Sequence, residues 1–385
     1  MRPPIYLDYN ATTPVDDGVL EAMLPFFREH YGNPSSEHAL GWTADEAVKK
    51  AREQTARLIG ATPRTVVFTS GATEAISLAV RGAGGIYGGR RHRIVTVQTE
   101  HEAMLVTGEA MEREGYEVVY LPVDGDGLVD LDALAAALDD KTLLVSVMWA
   151  NNETGVIQPI REIAALAHEV GAVMMTDATQ AVGRVPISVN HDGVDLLALS
   201  GHKLYGPKGV GALYVRQRGP RVRLQPQITG GDAEGGMRSG TPNVPGVVGL
   251  GAAAWLARRA LARDAERLGA LRDRFEAAVV EAVPGAHVNA AGAPRLPNTS
   301  SIRFEGVRTG QLLPVLRDVA ASTGAACQSR TGTPSHVLLA MGLTPEQSFS
   351  TVRFSLGRPT TAEEVEAAVG HVAEAVHAVR RRAAA

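Results

Sequence analysis

The sequence predicts an α/β protein: a large domain built on a mainly parallel sheet, joined to a small α+β domain. Three observations predict this. The chain has 385 residues, more than one hydrophobic core usually organises, so two domains are expected. Between about residues 63 and 215, short apolar runs rich in β-branched residues alternate with helical patterns, as strands linked by crossover helices do. After Pro245 the texture changes to a long Ala/Leu/Arg-rich stretch, which Pro284 and Gly285 stop just past Val283.

Strands are predicted over 66–69, 94–98, 118–121, 143–148, 173–176, 196–199 and 212–215. Helices fall between several of them, over 130–138, where Leu131, Leu134 and Leu138 share one face, and over 160–170. In a sheet of this kind ligands bind beyond the carboxyl ends of the strands. The stretch ending at Val283 reads as a connecting helix, strands near 300–304 and 352–356 bracket further helices, and a last helix starts near Ala362. This places the large domain at 15–250 and the small one at 1–14 with 251–385.

Composition narrows the class. Hydrophobic residues at 45% and charged residues at 21% match ordinary globular proteins and argue against a disordered, fibrous or membrane chain. With 38 basic against 42 acidic residues there is no field suited to a polyanion, so nucleic acid is not expected as a partner. No apolar run reaches a membrane span and the first residues lack the apolar stretch of a signal peptide, so a cytoplasmic location is expected. Cys327 is the only cysteine, which excludes an intramolecular disulfide and a cysteine-built metal cluster. It lies in a run of small and polar residues over 322–334 that reads as a loop. An accessible thiol there suits attack on a substrate sulfur; a small buried hydrophobe is the commoner use of a free cysteine.

The chemistry-bearing residues sit at predicted strand ends. Lys203, in Ser200-Gly201-His202-Lys203, follows one apolar run, and Asp177 closes another. A lysine can condense with an aldehyde, and a carboxylate at the next strand end can keep a ring nitrogen protonated; together they suggest pyridoxal phosphate. Taken singly, Lys203 also fits a solvated surface charge and Asp177 a helix N-cap. Gln180, three residues beyond Asp177, is in reach of the cofactor's phenolic oxygen. Ser70-Gly71-Ala72-Thr73-Glu74 opens an apolar helix and fits either a phosphate site or a plain N-cap. Ser200 and His202 offer further phosphate donors. His101 fits stacking on the ring, proton movement or a structural role. An amide of Asn151 or Asn152 suits the ring oxygen or a substrate carboxylate, with turn formation as the alternative. Arg353 suits a bidentate grip on a substrate carboxylate or an edge-strand salt bridge.

Taken together, these segments resemble the pyridoxal-phosphate cysteine desulfurases of the NifS/IscS-like group, within the class V aminotransferase family. The markers run from Tyr6-Leu7-Asp8-Tyr9-Asn10-Ala11-Thr12-Thr13-Pro14 and Tyr31-Gly32-Asn33-Pro34-Ser35-Ser36 through Glu100-His101 and Asn151-Asn152-Glu153-Thr154-Gly155. They continue with Asp177-Ala178-Thr179-Gln180, Ser200-Gly201-His202-Lys203-Leu204-Tyr205-Gly206-Pro207-Lys208-Gly209, Arg238-Ser239-Gly240-Thr241, the Cys327 loop and Arg353-Phe354-Ser355. The resemblance implies an aspartate aminotransferase-like fold, a homodimer, and pyridoxal 5'-phosphate carried by Lys203. It implies His101 on the ring, Asp177 at the ring nitrogen, and Asn152 and Gln180 near the ring oxygen. Ala72, Thr73, Ser200 and His202 would hold the phosphate, with Thr241 of the partner subunit. Asn33 and Arg353 would bind the carboxylate of L-cysteine. Cys327 would take the sulfur as a persulfide, releasing L-alanine, and pass it to a sulfur-acceptor or iron-sulfur scaffold protein, for cluster assembly or tRNA thiolation.

Three segments depart from the family pattern. Gly230-Gly231-Asp232-Ala233-Glu234-Gly235-Gly236 stands where Gly-Gly-Gly-Gln-Glu-Arg-Gly is usual, near the implied dimer contact, and Ala75-Ile76 stands where asparagines are common. Gly324-Ala325-Ala326-Cys327-Gln328-Ser329 is also similar to the loop of selenocysteine lyases. A selenocysteine lyase or another class V lyase or aminotransferase is therefore the first alternative, and a non-catalytic dimeric subunit the second. A dinucleotide-binding module lacks its Gly-x-Gly-x-x-Gly turn.

Overall fold

Residues 3–324 and 332–384 are described by the structure, a computed structural model. The strands, in chain order, are β1 (Ile5–Tyr6), β2 (Val66–Thr69), β3 (Arg93–Val97), β4 (Glu117–Leu121), β5 (Thr142–Ser146) and β6 (Val173–Asp177). They continue with β7 (Leu196–Ser200), β8 (Gly211–Val215), β9 (Ala286–Val288), β10 (Thr299–Phe304), β11 (Val319–Ala320) and β12 (Thr351–Ser355).

Seven of these form one sheet in the order β2-β8-β7-β6-β5-β3-β4. Pairs involving β8 are antiparallel and the others parallel, so β8 alone runs against its neighbours. The carboxyl ends of β2, β7, β6, β5 and β3 therefore share one edge. Helices cover both faces, which is why the strands read as unbroken apolar runs. Val145, Met174, Leu197 and Leu199 enter the core on one face; Leu144, Met175, Leu196 and Ala198 enter the core on the other. The first face is closed by helices Ala39–Leu58 and Ile160–Glu169, the latter burying Ile160, Ile163, Ala164 and Ala167 at helical spacing. The second is closed by Ala72–Tyr87, with Ile76 inside the core, so the departures at Ala75 and Ile76 are apolar packing positions.

Beyond this sheet lies a second core around β12-β10-β9. Its members include Leu7, Phe275, Phe304, Phe354 and Val372, from the chain start, the long helix, the small sheet and helix Ala362–Ala384. Helix Val244–Ala282 runs through both cores: Val247, Leu250 and Ala254 pack under the large sheet, Leu268, Phe275 and Val279 in the second core. Asn10 ties the chain start across the junction. Its backbone N–H donates to Ser355 Oγ (2.9 Å), its side-chain amide donates to Thr299 Oγ1 (2.9 Å), and its own oxygen accepts from Asn298 (3.1 Å). The 230–236 segment docks on β2 through Glu234, whose carboxylate pairs with Arg52 at 2.6 Å and accepts the Phe68 N–H at 2.9 Å. Among the described residues no helix is long and apolar enough to cross a membrane.

Candidate active site

Asp177 ends β6, Ser200 ends β7, and the tight turn Gly201–Lys203 swings the lysine back over the strand ends. They line a cavity of about 550 Å³. Lys203 Nζ donates to the carbonyl of Ala11 (2.8 Å) and to that of Asn10. Burial, reinforced by the charges of Arg353 and Arg184 and opposed by Asp177 and Asp8, lowers its pKa to about 7. The surface-charge reading is thereby overturned: this amine is inward and substantially neutral at physiological pH.

Asp177 is 6% exposed and accepts the Thr179 N–H at 2.9 Å, so it shapes its turn and faces the cavity together. Next to it lies Glu100, 1% exposed, with one oxygen on the Met148 N–H (2.6 Å) and the other without a partner among the described residues. Burial and then the Asp177 charge push its carboxyl well above the usual range. The sequence marks Glu100 only as the partner of His101 in a family motif and assigns it no role.

At the rim, helix Ala72–Tyr87 starts at Gly71 with no side-chain cap. Glu74 instead accepts the Ser70 N–H (2.8 Å) and is held by Arg238 (2.9 Å). The first helical N–H groups stay open to the cavity, which favours the anion-site reading over the plain N-cap. Ser200 lies alongside: a Cβ on Gly71 would stand 3.9 Å from its Oγ. His202 Nδ1 lies 3.1 Å from Thr12 Oγ1, and burial followed by the charges of Lys203 and Lys208 lowers its pKa to about 4. His202 is therefore neutral at pH 7 and contributes hydrogen bonds, not charge.

His101 caps helix Glu102–Arg113, its Nδ1 accepting the Ala103 N–H (3.1 Å), and it also lines the cavity. That contact leaves the proton of the neutral ring on Nε2. Of the two asparagines, Asn151 is the turn former: its oxygen accepts the Glu153 and Thr154 N–H groups at 2.8 and 3.0 Å. Asn152 lines the cavity. Arg353 is 3% exposed and bonds to Asp8 (2.7 Å), Ser322 (2.9 Å) and the carbonyl oxygens of Asn152 (2.9 Å) and Gly324 (3.2 Å). Its salt bridge is to Asp8, yet it lines the cavity and its Nε has no partner among the described residues.

A strand-end lysine, a strand-end carboxylate and an open helix start together suit a phosphorylated aldehyde cofactor. Residues 5–368 match the family described as Aminotransferase class-V. The chain belongs to that family. Among class-V relatives, "Cysteine desulfurase IscS" of Anaeromyxobacter sp. (strain Fw109-5) is 50% identical over 99% of this chain and 94% of its own length. The protein of the same name from Rickettsia bellii is 44% identical over 98% of this chain and 92% of its own length. Of solved structures, a "NIFS-LIKE PROTEIN" superposes with a TM-score of 0.90 at 37% identity, covering 97% of this chain and 99% of its own. "SspA in complex with cysteine" superposes with a TM-score of 0.81 at 36% identity, covering 91% and 98%. The expected α/β fold, a mainly parallel sheet with a smaller second one, is borne out.

The class-V cavity gathers Lys203, Asp177, Gln180, Asn152, Ala72, Thr73, Ser200, His202, His101 and Arg353 from six segments of the chain. Two expected residues stand outside its lining. Asn33 is exposed and its oxygen accepts the Ser35 N–H (3.0 Å), and Thr241 is exposed as well. Cys327 lies outside the described residues. Arg184, which no sequence motif singled out, stands behind Gln180 and donates to it.

Proposed function

We propose that this protein is a cysteine desulfurase that uses pyridoxal phosphate to move sulfur from L-cysteine to Cys327, releasing L-alanine. The observation that carries the reading is the Lys203 amine, lowered to a pKa of about 7 in a cavity that also holds Asp177 and an uncapped helix start. The residues present fit the cofactor: open N–H groups and Ser200 for a phosphate, Asp177 for a ring nitrogen, Lys203 for an aldehyde. Full-length relatives named cysteine desulfurase support the choice of substrate.

Pyridoxal phosphate, when bound, supplies an electron sink for charge developing on the substrate's α-carbon. The chain's own residues do the rest. Asp177 would hold the proton of the ring nitrogen, and His101 would lie against the ring. Lys203 Nζ would hold the cofactor's aldehyde, and it is neutral enough near pH 7 to take a proton. Arg353, whose Nε has no partner among the described residues, would hold the substrate carboxylate. The Cys327 thiolate attacks the substrate sulfur: an S–S bond forms, the Cβ–S bond breaks, the electron pair stays on carbon, and a proton completes alanine. Gly324 and His336, on either side of the 325–331 segment, both line the cavity, which supports that role.

The reading extends to a cytoplasmic homodimer, with Asn33 aiding the substrate carboxylate and Thr241 serving the partner subunit's cofactor phosphate. A sulfur-acceptor or iron-sulfur scaffold protein receives the persulfide. The two cores are taken as two domains, 15–250 and 1–14 with 251–385, the long helix belonging to both. Incubating the purified protein with L-cysteine, pyridoxal phosphate and a thiol reductant should yield alanine and sulfide in equal amounts. Cys327→Ser should abolish both; full retention on cysteine would defeat the persulfide step, and retention on selenocysteine alone would favour a selenocysteine lyase.

A further inference from the structure

Gln180 is 4% exposed, and the two ends of its amide meet different partners. Nε2 donates to the Asn10 carbonyl at 3.0 Å. Oε1 accepts from Arg184 Nη1, which also donates to the Gln180 backbone carbonyl at 2.9 Å. The second guanidinium nitrogen reaches the Tyr9 carbonyl at 3.4 Å. Among the described residues no salt bridge reaches Arg184, so its charge is spent on neutral oxygens.

This arrangement settles which way the amide points. Turned over, Gln180 would set its NH₂ against a cation and its oxygen against a carbonyl, two repulsive contacts in place of two hydrogen bonds. Nε2 carries two N–H groups and the Asn10 carbonyl takes one, leaving the other for the cavity that Gln180 lines. We propose that Arg184 is a positioning residue that locks Gln180 as a hydrogen-bond donor into the cavity, matched to an anionic oxygen on the bound ring.

Arg184 can do this because it stays charged. Burial lowers its pKa to about 10, with Tyr205 opposing the shift and Arg353 adding to it, so it remains a cation at neutral pH. The same charge helps to depress Lys203. Two sides of the cavity thus feel one guanidinium: the amide it turns and the amine it discourages from taking a proton. Arg184 lies four residues after Gln180, and the turns between them bring the two side chains together.

The inference rests on the pyridoxal phosphate reading, and its test separates the two. Apo-protein is titrated with pyridoxal phosphate, recording the dissociation constant and the pH midpoint of the visible band for wild type, Arg184→Met, Arg184→Lys, Gln180→Ala and the Arg184→Met/Gln180→Ala pair. Arg184→Met should weaken cofactor binding about five- to tenfold, the worth of one hydrogen bond. It should also raise the band's midpoint, because an oxygen anion deprived of its donor holds protons more tightly. Arg184→Lys, which keeps the cation, should restore most of both. Loss of both groups should weaken cofactor binding no more than Gln180→Ala alone, since in binding the arginine acts through the glutamine. Its direct charge effect on Lys203 is read as any midpoint difference between the pair and Gln180→Ala.

A merely structural arginine would lower the melting temperature while leaving the midpoint in place. An unchanged midpoint in Arg184→Met, or losses that multiply in the double variant, overturns the inference. Should the methionine variant not fold, Arg184→Ala, which likewise removes the donor to Gln180, gives the same reading. A wild-type protein that forms no visible band defeats the cofactor reading itself, and the inference falls with it.

Discussion

At the scale of single residues, the chemistry turns on one amine. Lys203 is buried beside cations, and its pKa of about 7 lies well below the 10.5 of a free lysine. The neutral form is the nucleophile, and the shift is downward, so reactivity appears as pH rises through 7 and not through 10.5. The rate at which apo-protein captures pyridoxal phosphate should climb about tenfold per pH unit up to pH 7 and level off above it. A stopped-flow pH series tests this, and a rate still rising at pH 9 would place the amine in water. His202, at about 4, is neutral throughout that range and leaves the profile to Lys203. Lys203 and Asp177 were legible in the sequence because an apolar run fixes a strand end, and strand ends are where this architecture places ligands. Glu100 entered only through the Glu100-His101 motif, without a role, and Arg184 not at all. Their roles depend on what burial brings beside them, Asp177 in one case and the Gln180 amide in the other, and a one-dimensional pattern records neither.

At the scale of elements, the unusual 230–236 segment acquires a function in the fold. Glu234 leaves 6% of its side chain exposed, meets Arg52 in a two-point contact at 2.6 and 2.7 Å, and accepts the Phe68 N–H on the outer strand β2. Arg52 in turn stacks over the Phe68 ring at 4.6 Å. Sheet edges left unpaired invite wrong partners, and this pair covers one. Glu234→Ala would strand a guanidinium that is only 20% exposed, and we expect a loss of about 2–4 kcal/mol, less than for a fully buried pair. Urea unfolding measures it, and a change below half a kcal/mol would relegate the pair to the solvated surface. The strands of the large sheet were readable to within one or two residues, since covered strands are apolar throughout. The reversal of β8 was not, because direction leaves no mark on composition. Helix Ala39–Leu58 also escaped notice: its buried face is Gly41, Ala44, Val48, Ala51 and Thr55, small residues that give a weak hydrophobic period. They are small because the long helix lies close against them; a Cβ on Gly251 would sit 2.5 Å from the Ala51 Cα.

At the scale of the molecule, two cores share one helix, and the cavity lies between what each supplies. The large sheet contributes Asp177, Ser200 and the Lys203 turn; the second core carries Arg353 beside Phe354, and Asn10 ties the two together. If the cores are separate cooperative units, damage to the smaller should leave the larger able to hold the cofactor. Phe275 tests this. It is fully buried in the second core, its ring 5.0 Å from that of Phe354, and it does not line the cavity. Phe275→Ala should remove about 3–5 kcal/mol from that core. Heating the cofactor-loaded variant should then give two transitions, a first in far-ultraviolet circular dichroism while the visible band persists, and a second that takes the band with it. The long helix opposes such a split, because unfolding its second half exposes the first. If that coupling dominates, a single transition will carry both signals downward together, and the protein is one cooperative unit despite its two cores.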